Sequence, residues 1–151
     1  MLTLSSEYAL RAMVHLAQHA EDQPVPGKTI AQEAGIPGKY LSKVLGDLVR
    51  AGVLEGSRGR NGGFKLSRAP QTIRLHEVLA QFEPVLTNRR PCPFGNVVCT
   101  DEVPCAGHDR WKTVRDAYQG FLRETTIYDV AVKRDDSKNC TERKKSKRKL
   151  R

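Results

Sequence analysis

Three of the chain's four cysteines fall within RRPCPFGNVVCTDEVPCAGHDRW, where six residues separate Cys92 from Cys99, five separate Cys99 from Cys105, and His108 stands three positions further on. Thiols at that density bind soft metals or pair as disulfides. The opening MLTLSSEYALRAMV has neither the basic start nor the continuous apolar stretch of a secretion signal, and no run approaches the ~20 apolar residues of a membrane span. A cytoplasmic address and no membrane partner are therefore expected. That compartment and the odd number of thiols in the loop both disfavour disulfides. Zinc ligands usually pair across shorter gaps than these. Wider gaps suit a flexible loop wrapped around a larger inorganic core, since iron-sulfur clusters are held by thiolates, with histidine replacing cysteine in some centres. Pro91, Pro93 and Pro104 stiffen the backbone beside the thiols and lower the entropy lost on closing around metal.

Other reactive residues point less far. There is no Ser/His/acid or paired-carboxylate constellation and no phosphate-binding glycine loop opening a helix, so an enzyme is not expected. His15 and His19 stand one helical turn apart, a spacing that can bind metal. With no third ligand nearby in sequence, they read as packing or surface positions. Cys140 lies in a charged tail and is assigned no role.

The cysteines must be positioned by a small body. The chain has 151 residues, 38% hydrophobic and 28% charged, the profile of one soluble domain with an appendage. Its net charge of +9 is segregated. Residues 133–151 hold ten Lys/Arg against three Asp/Glu, and residues 37–74 hold eight (Lys39, Lys43, Arg50, Arg58, Arg60, Lys65, Arg68, Arg74) against two, leaving the remainder net acidic. Such segregation predicts an electropositive face for a polyanion. The tail, almost without apolar residues, is expected to be disordered.

Leu10, Met13, Val14 and Ala17 predict an amphipathic helix from Ser6 to about Ala20 behind a serine cap. Thr29 and Gln32 form a capping-box pattern opening a short helix that Gly35 ends. Leu41, Val44, Leu45 and Leu48 mark a third helix ending near Gly52, with Lys39, Ser42, Lys43, Asp47 and Arg50 on its other face. Two helices around a short glycine-containing turn, the second basic outside, make a helix-turn-helix pattern. Val53 and Leu54, the run SRGRNGG, then Phe64 to Leu66 predict a two-stranded wing whose glycines allow a tight tip close to a phosphate backbone, with Arg58 and Arg60 able to enter a minor groove.

Leu75, Val78, Leu79 and Phe82 give a further helical stripe. After the proline- and cysteine-bearing stretch, Trp111, Val114, Tyr118, Phe121, Leu122 and Thr125 predict a long helix from about His108 to around Tyr128. So small a domain leaves that helix little to pack on, so it either forms a homodimer interface or folds back on its own core. The expected fold is mainly α: a winged helix-turn-helix over 1–82 with a small two-stranded wing, a cluster loop over 83–107, a C-terminal dimerisation helix over 108–132 and a basic tail over 133–151.

From the start to about Val132 the sequence resembles the Rrf-type family of iron-sulfur winged-helix transcriptional regulators, through LTLSSEYALRAMVHLA, IPGKYLSKVLGDLVRAGVL, SRGRNGGFKL and the three-cysteine loop before a long helix. The resemblance implies a homodimer that binds a palindromic operator in double-stranded DNA, most simply as a repressor, with affinity set by an iron-sulfur cluster responding to nitric oxide, iron or cluster supply, or redox state. Cys92, Cys99 and Cys105 match the family's cluster ligands. The fourth is His108, where one branch supplies a histidine, or Glu7 from the partner subunit, where another supplies a carboxylate. The first cysteine gap is one residue longer than in the first branch, so both [2Fe-2S] and [4Fe-4S] stay open. The same resemblance points to Gly38, Lys39, Ser42 and Lys43 at the start of the recognition helix for DNA contact, with Tyr40 near the backbone and Arg58 and Arg60 in the wing; Thr29 is a further DNA-contact candidate, and Lys43 and Arg50, on the solvated helix face, are candidate phosphate clamps. Ser42 stands where some members carry a cytosine-reading glutamate. Two alternatives are a winged-helix regulator with a thiol-disulfide switch or structural zinc in the loop, and a protein-interaction module.

Overall fold

A computed structural model describes residues 2–22, 24–83, 92–96 and 99–132. The tail expected to be disordered, Cys140 and Pro91 lie outside the described residues. Among the described residues, six α-helices and one hairpin follow in the order α1 (Leu4–Gln18), α2 (Gly27–Glu33), α3 (Gly38–Arg50), β1 (Leu54–Ser57), β2 (Gly63–Leu66), α4 (Leu75–Leu79), α5 (His108–Glu124) and α6 (Ile127–Ala131). No helix among the described residues is long and apolar enough to cross a membrane.

Helix α3 buries the expected stripe of Leu41, Val44, Leu45 and Leu48. Helix α1 buries Ala9, Ala12, Met13 and Leu16, leaving Leu10, Val14 and Ala17 half-buried. Both sets share helical spacing, and the alanines on the buried one let α1 approach its neighbours closely. Its cap is Thr3, whose hydroxyl accepts from the Ser6 amide at 3.3 Å, not a serine. Thr29 does not cap α2 either: that helix starts two residues earlier, after Pro26, whose fixed φ leads into the first turn. Gly35 follows α2 at φ +64°, the left-handed position expected for a helix stop.

The wing forms as expected, with Leu54 opposite Leu66 and Ser57 opposite Gly63. Phe64 and Val25 exchange backbone hydrogen bonds of 2.9 Å, tying the wing to the segment before α2. Gly59 turns at φ +108°. Gly63 answers a different demand, because a Cβ there would sit 2.5 Å from the Val25 carbonyl oxygen. Close packing within the chain therefore requires that glycine.

The helix expected over 108–132 is interrupted. Leu75 donates to the Thr125 carbonyl at 3.0 Å and Ile127 to the Ile73 carbonyl at 2.9 Å, so residues 125–126 run extended beside the segment entering α4. Thr126 and Asp129 then cap each other: the Thr126 hydroxyl accepts from the Asp129 amide, and Asp129 Oδ2 accepts from the Thr126 amide at 2.8 Å. Helix α6 buries Ile127 and Ala131 and lies against α1, where Gln18 Nε2 donates to the Ala131 carbonyl at 2.9 Å. Helix α5 buries Leu122, while Val114 and Phe121, two turns apart, are 59% and 52% exposed.

Candidate functional site

The recognition helix α3 and the wing carry the basic residues singled out by sequence, and ion pairing divides them. Arg50 pairs with Asp47, Lys65 with Glu55 at 2.9 Å, and Arg68 with Glu77. Arg74 donates to the Glu124 carbonyl at 2.6 Å. Lys39, Lys43, Arg58 and Arg60 are exposed and have no ion-pair partner among the described residues. These four lie on the first turns of α3 and at the wing tip, so the uncompensated positive charge faces outward from two adjoining elements.

The remaining sequence-derived positions fall around them. Gly38 opens α3, and a Cβ there would meet nothing within 4 Å, so intramolecular packing does not require glycine. Tyr40 is exposed, with its ring 6.2 Å from that of Tyr8. Ser42 turns its hydroxyl onto the Gly38 carbonyl at 3.2 Å. Thr29 is half-buried inside α2.

The loop brings Cys92, Cys99 and Cys105 together with all three sulfurs within 4.8 Å of one another. Cys92 and Cys105 are 3.9 Å apart, and Cys99 Sγ lies 3.2 Å from His108 Nδ1. All three thiols are free and half-buried. His108 opens α5, with its backbone amide on the Cys105 carbonyl at 2.9 Å, so the helix start and the last cysteine are fixed together. Its Nε2 faces Asp101 Oδ1 at 2.8 Å, and Lys112 donates to the other Asp101 oxygen at 2.6 Å. A cavity of about 520 Å³ opens beside this cluster, lined by Phe94, Asn96, Cys105 and Arg110 among others. Glu7 is exposed on the first turn of α1 and is not among the groups that converge with the cysteines within this chain.

The electrostatics of the loop favour ligation at one edge. A hydrogen bond from the Asn96 side-chain amide, helped by the backbone amides of Phe94 and Asn96, pulls the Cys92 thiol down to about 6. At Cys99 a backbone hydrogen bond from Cys105 favours the thiolate, but desolvation and the neighbouring Cys105 and Cys92 thiols outweigh it and push the group up. The Lys112 ammonium, followed by His108, holds Asp101 down at about 2. Sequence reasoning does not single out Asn96 or Asp101. Their only signal is a polar side chain inside a cysteine loop, and their roles come from where the loop folds them.

Three thiols and one imidazole make a donor set that suits an iron-sulfur cluster or a single thiophilic ion. The residues present fit such a group.

Comparison with known proteins adds the lineage. The family model described as Rrf2, iron-dependent transcriptional regulator, matches residues 2–133. A helix-turn-helix regulator of Synechocystis is 42% identical over 82 residues, an alignment covering 54% of this chain and 56% of that protein. The regulator IscR of Photobacterium profundum is 31% identical over 126 residues, covering 83% of this chain and 72% of that one. Among solved structures, CymR, the global cysteine regulator of B. subtilis, superposes with a TM-score of 0.70 at 27% identity, covering 87% of this chain and 95% of its own. The winged helix and the extent of the match agree: this chain belongs to the Rrf2 family of DNA-binding transcriptional regulators, which are not enzymes.

Proposed function

We propose that this regulator is a cytoplasmic homodimeric repressor whose affinity for a palindromic operator is switched by an iron-sulfur cluster bound at Cys92, Cys99 and Cys105, with His108 as fourth ligand. The carrying observation is the convergence of three thiols on an imidazole whose far nitrogen is held by a carboxylate. A carboxylate can only accept at neutral pH, so the Asp101 contact places the His108 proton on Nε2 and leaves the Nδ1 lone pair facing the thiols. Metal-ligating histidines are held in this way. When bound, the cluster supplies chemistry sensitive to nitric oxide, iron supply and redox state.

The protein's part is to couple that loop to DNA. His108 is both a loop ligand and the first residue of α5, so ordering the loop acts on the helix that carries exposed Val114 and Phe121. That face is the proposed dimer seam. Two winged heads joined through it read a palindrome by their spacing, and a small shift of the seam alters half-site fit. Lys39, Lys43, Arg58 and Arg60 supply the phosphate and groove contacts, with Thr29, Gly38, Tyr40 and Ser42 beside them. Arg50 joins them by exchanging Asp47 for a phosphate. Glu7, exposed on α1, is the ligand a partner subunit would offer if His108 does not bind.

A second reading has its own support. A tetrahedral ion with metal–sulfur bonds of about 2.3 Å has ligand edges of about 3.8 Å, close to the 3.9 Å between Cys92 and Cys105. Structural zinc therefore fits as well as one corner of a cluster. Anaerobic purification separates the two. A brown protein with acid-labile sulfide, whose colour disappears in Cys99→Ala together with a change in operator binding, supports the cluster. A colourless protein with stoichiometric zinc supports the second reading. A colourless metal-free protein after reconstitution with iron and sulfide overturns both and leaves a thiol switch.

A further inference from the structure

The tertiary fold supplies a neighbour for the histidine pair on α1. Glu33, near the end of α2, faces His15 and His19, and the ligand-capable atoms of all three lie within 4.8 Å of one another. Its Oε2 is 3.7 Å from His15 Nε2 and 3.9 Å from His19 Nε2. Both separations exceed a hydrogen bond. His15 is only 7% exposed, and its Nε2 has no hydrogen-bond partner among the described residues, a condition that folded interiors avoid.

The second histidine is prepared for ligation. His19 Nδ1 lies 2.9 Å from the His15 carbonyl oxygen. A carbonyl only accepts, so Nδ1 carries the proton and Nε2 turns a lone pair toward Glu33. Binding the outer nitrogen to a carbonyl while the inner one ligates is the usual support of a metal-bound histidine.

We propose that His15, His19 and Glu33 form a binding site for a divalent transition ion of the zinc class, with water in the remaining position, and that the ion fastens α1 to α2. Imidazole nitrogen and carboxylate oxygen are suitable donors for such ions. Bonds of about 2.0–2.2 Å place tetrahedral ligand atoms about 3.3–3.6 Å apart. The His–Glu separations thus need to close by only a few tenths of an ångström, and the Glu33 side chain, 52% exposed, has room to move. The site contains no thiol and is independent of what the cysteine loop holds. Because α2 is the first helix of the helix-turn-helix, the clamp acts at the base of the DNA-reading head.

The test uses the full chain with its thiols alkylated by iodoacetamide, so that cysteines contribute no binding. Titration with Co²⁺ is expected to give one equivalent bound, with the weak visible bands of a nitrogen and oxygen site and no thiolate charge-transfer band, and Zn²⁺ is expected to displace it. His19→Ala and Glu33→Gln, at partly exposed positions, are expected to weaken binding at least about 10–100-fold, and Zn²⁺ is expected to raise the unfolding midpoint of the parent but not of the variants. No binding of either ion at micromolar concentration, or undiminished binding in both variants, overturns the proposal. The same titration in Cys92→Ser/Cys99→Ser/Cys105→Ser keeps the result free of any effect of alkylation.

Discussion

His108 and Asp101 are joined by a hydrogen bond of 2.8 Å from ring Nε2 to carboxylate Oδ1, and that bond decides which nitrogen of the ring meets Cys99. Six residues separate the two along the loop, and Lys112, one turn into α5, holds the second carboxylate oxygen. The helix residue thus holds the loop carboxylate, and the carboxylate holds the imidazole.

Under the proposed function, removing Asp101 should therefore loosen a metal group held at the cysteine loop without disturbing the fold, because its side chain is largely exposed. In Asp101→Ala, the loss of cluster or metal to a chelator under anaerobic conditions is expected to be about 10–100-fold easier than in the parent. Far-UV circular dichroism is expected to be unchanged. Equal retention in both proteins would show that Asp101 does not support a ligand.

Basic residues without partners should matter to DNA more than paired ones. Arg58→Ala and Arg60→Ala are expected to lower the slope of log affinity against log salt by about 0.9 for each phosphate left unneutralised, with stability changed by less than about 0.5 kcal/mol. Lys65→Ala, whose ammonium already faces Glu55, is expected to move that slope less. Fluorescence anisotropy with an operator duplex over a salt series reads both. Equal slopes in all three would remove the wing from the interface.

The Thr126–Asp129 cap gives a stability prediction with a defined pH sense. Thr126→Ala is expected to cost about 1 kcal/mol, a typical capping loss, read by thermal or urea unfolding. The Thr126 hydroxyl, then its backbone amide, hold Asp129 below its ordinary carboxylate value. A group lowered in the folded state binds fewer protons there than when unfolded. Its contribution is complete above about pH 4 and fades as pH falls through the lowered native value. The stability difference between the parent and Thr126→Ala should therefore narrow at strongly acid pH, to what the bond from the Asp129 amide to the hydroxyl contributes, and be largest near neutrality.

Glu83, the last residue described before the cysteine loop, is buried and accepts from the Thr3 amide at 2.7 Å and the Ser6 hydroxyl at 2.5 Å. Ser6→Ala leaves a buried carboxylate one donor short and is expected to destabilise the chain by about 1–3 kcal/mol. If this contact also anchors the loop, hydrogen exchange around the start of α1 should rise with it. Unchanged unfolding in Ser6→Ala would show that water replaces the hydroxyl freely.

The sequence by itself determined the features that depend on near neighbours. The α3 stripe of Leu41, Val44, Leu45 and Leu48 was legible because helical period and burial coincide, and the wing because glycines and arginines mark a tight turn between two apolar runs. The cysteine trio was legible because its three thiols sit in one loop. A local signal also marks the break in the expected long helix: Thr126 and Asp129 form a capping pair three residues apart. The buried face of α1 was ambiguous, since 9-12-13-16 and 10-13-14-17 have the same spacing and only the neighbouring helices choose between them. The Ser6–Glu83 bond spans 77 residues, and Glu33 reaches the histidine pair only after α2 folds against α1. No periodicity encodes such meetings. They arise when the chain buries its apolar faces together, which fixes the distances between polar groups far apart in sequence.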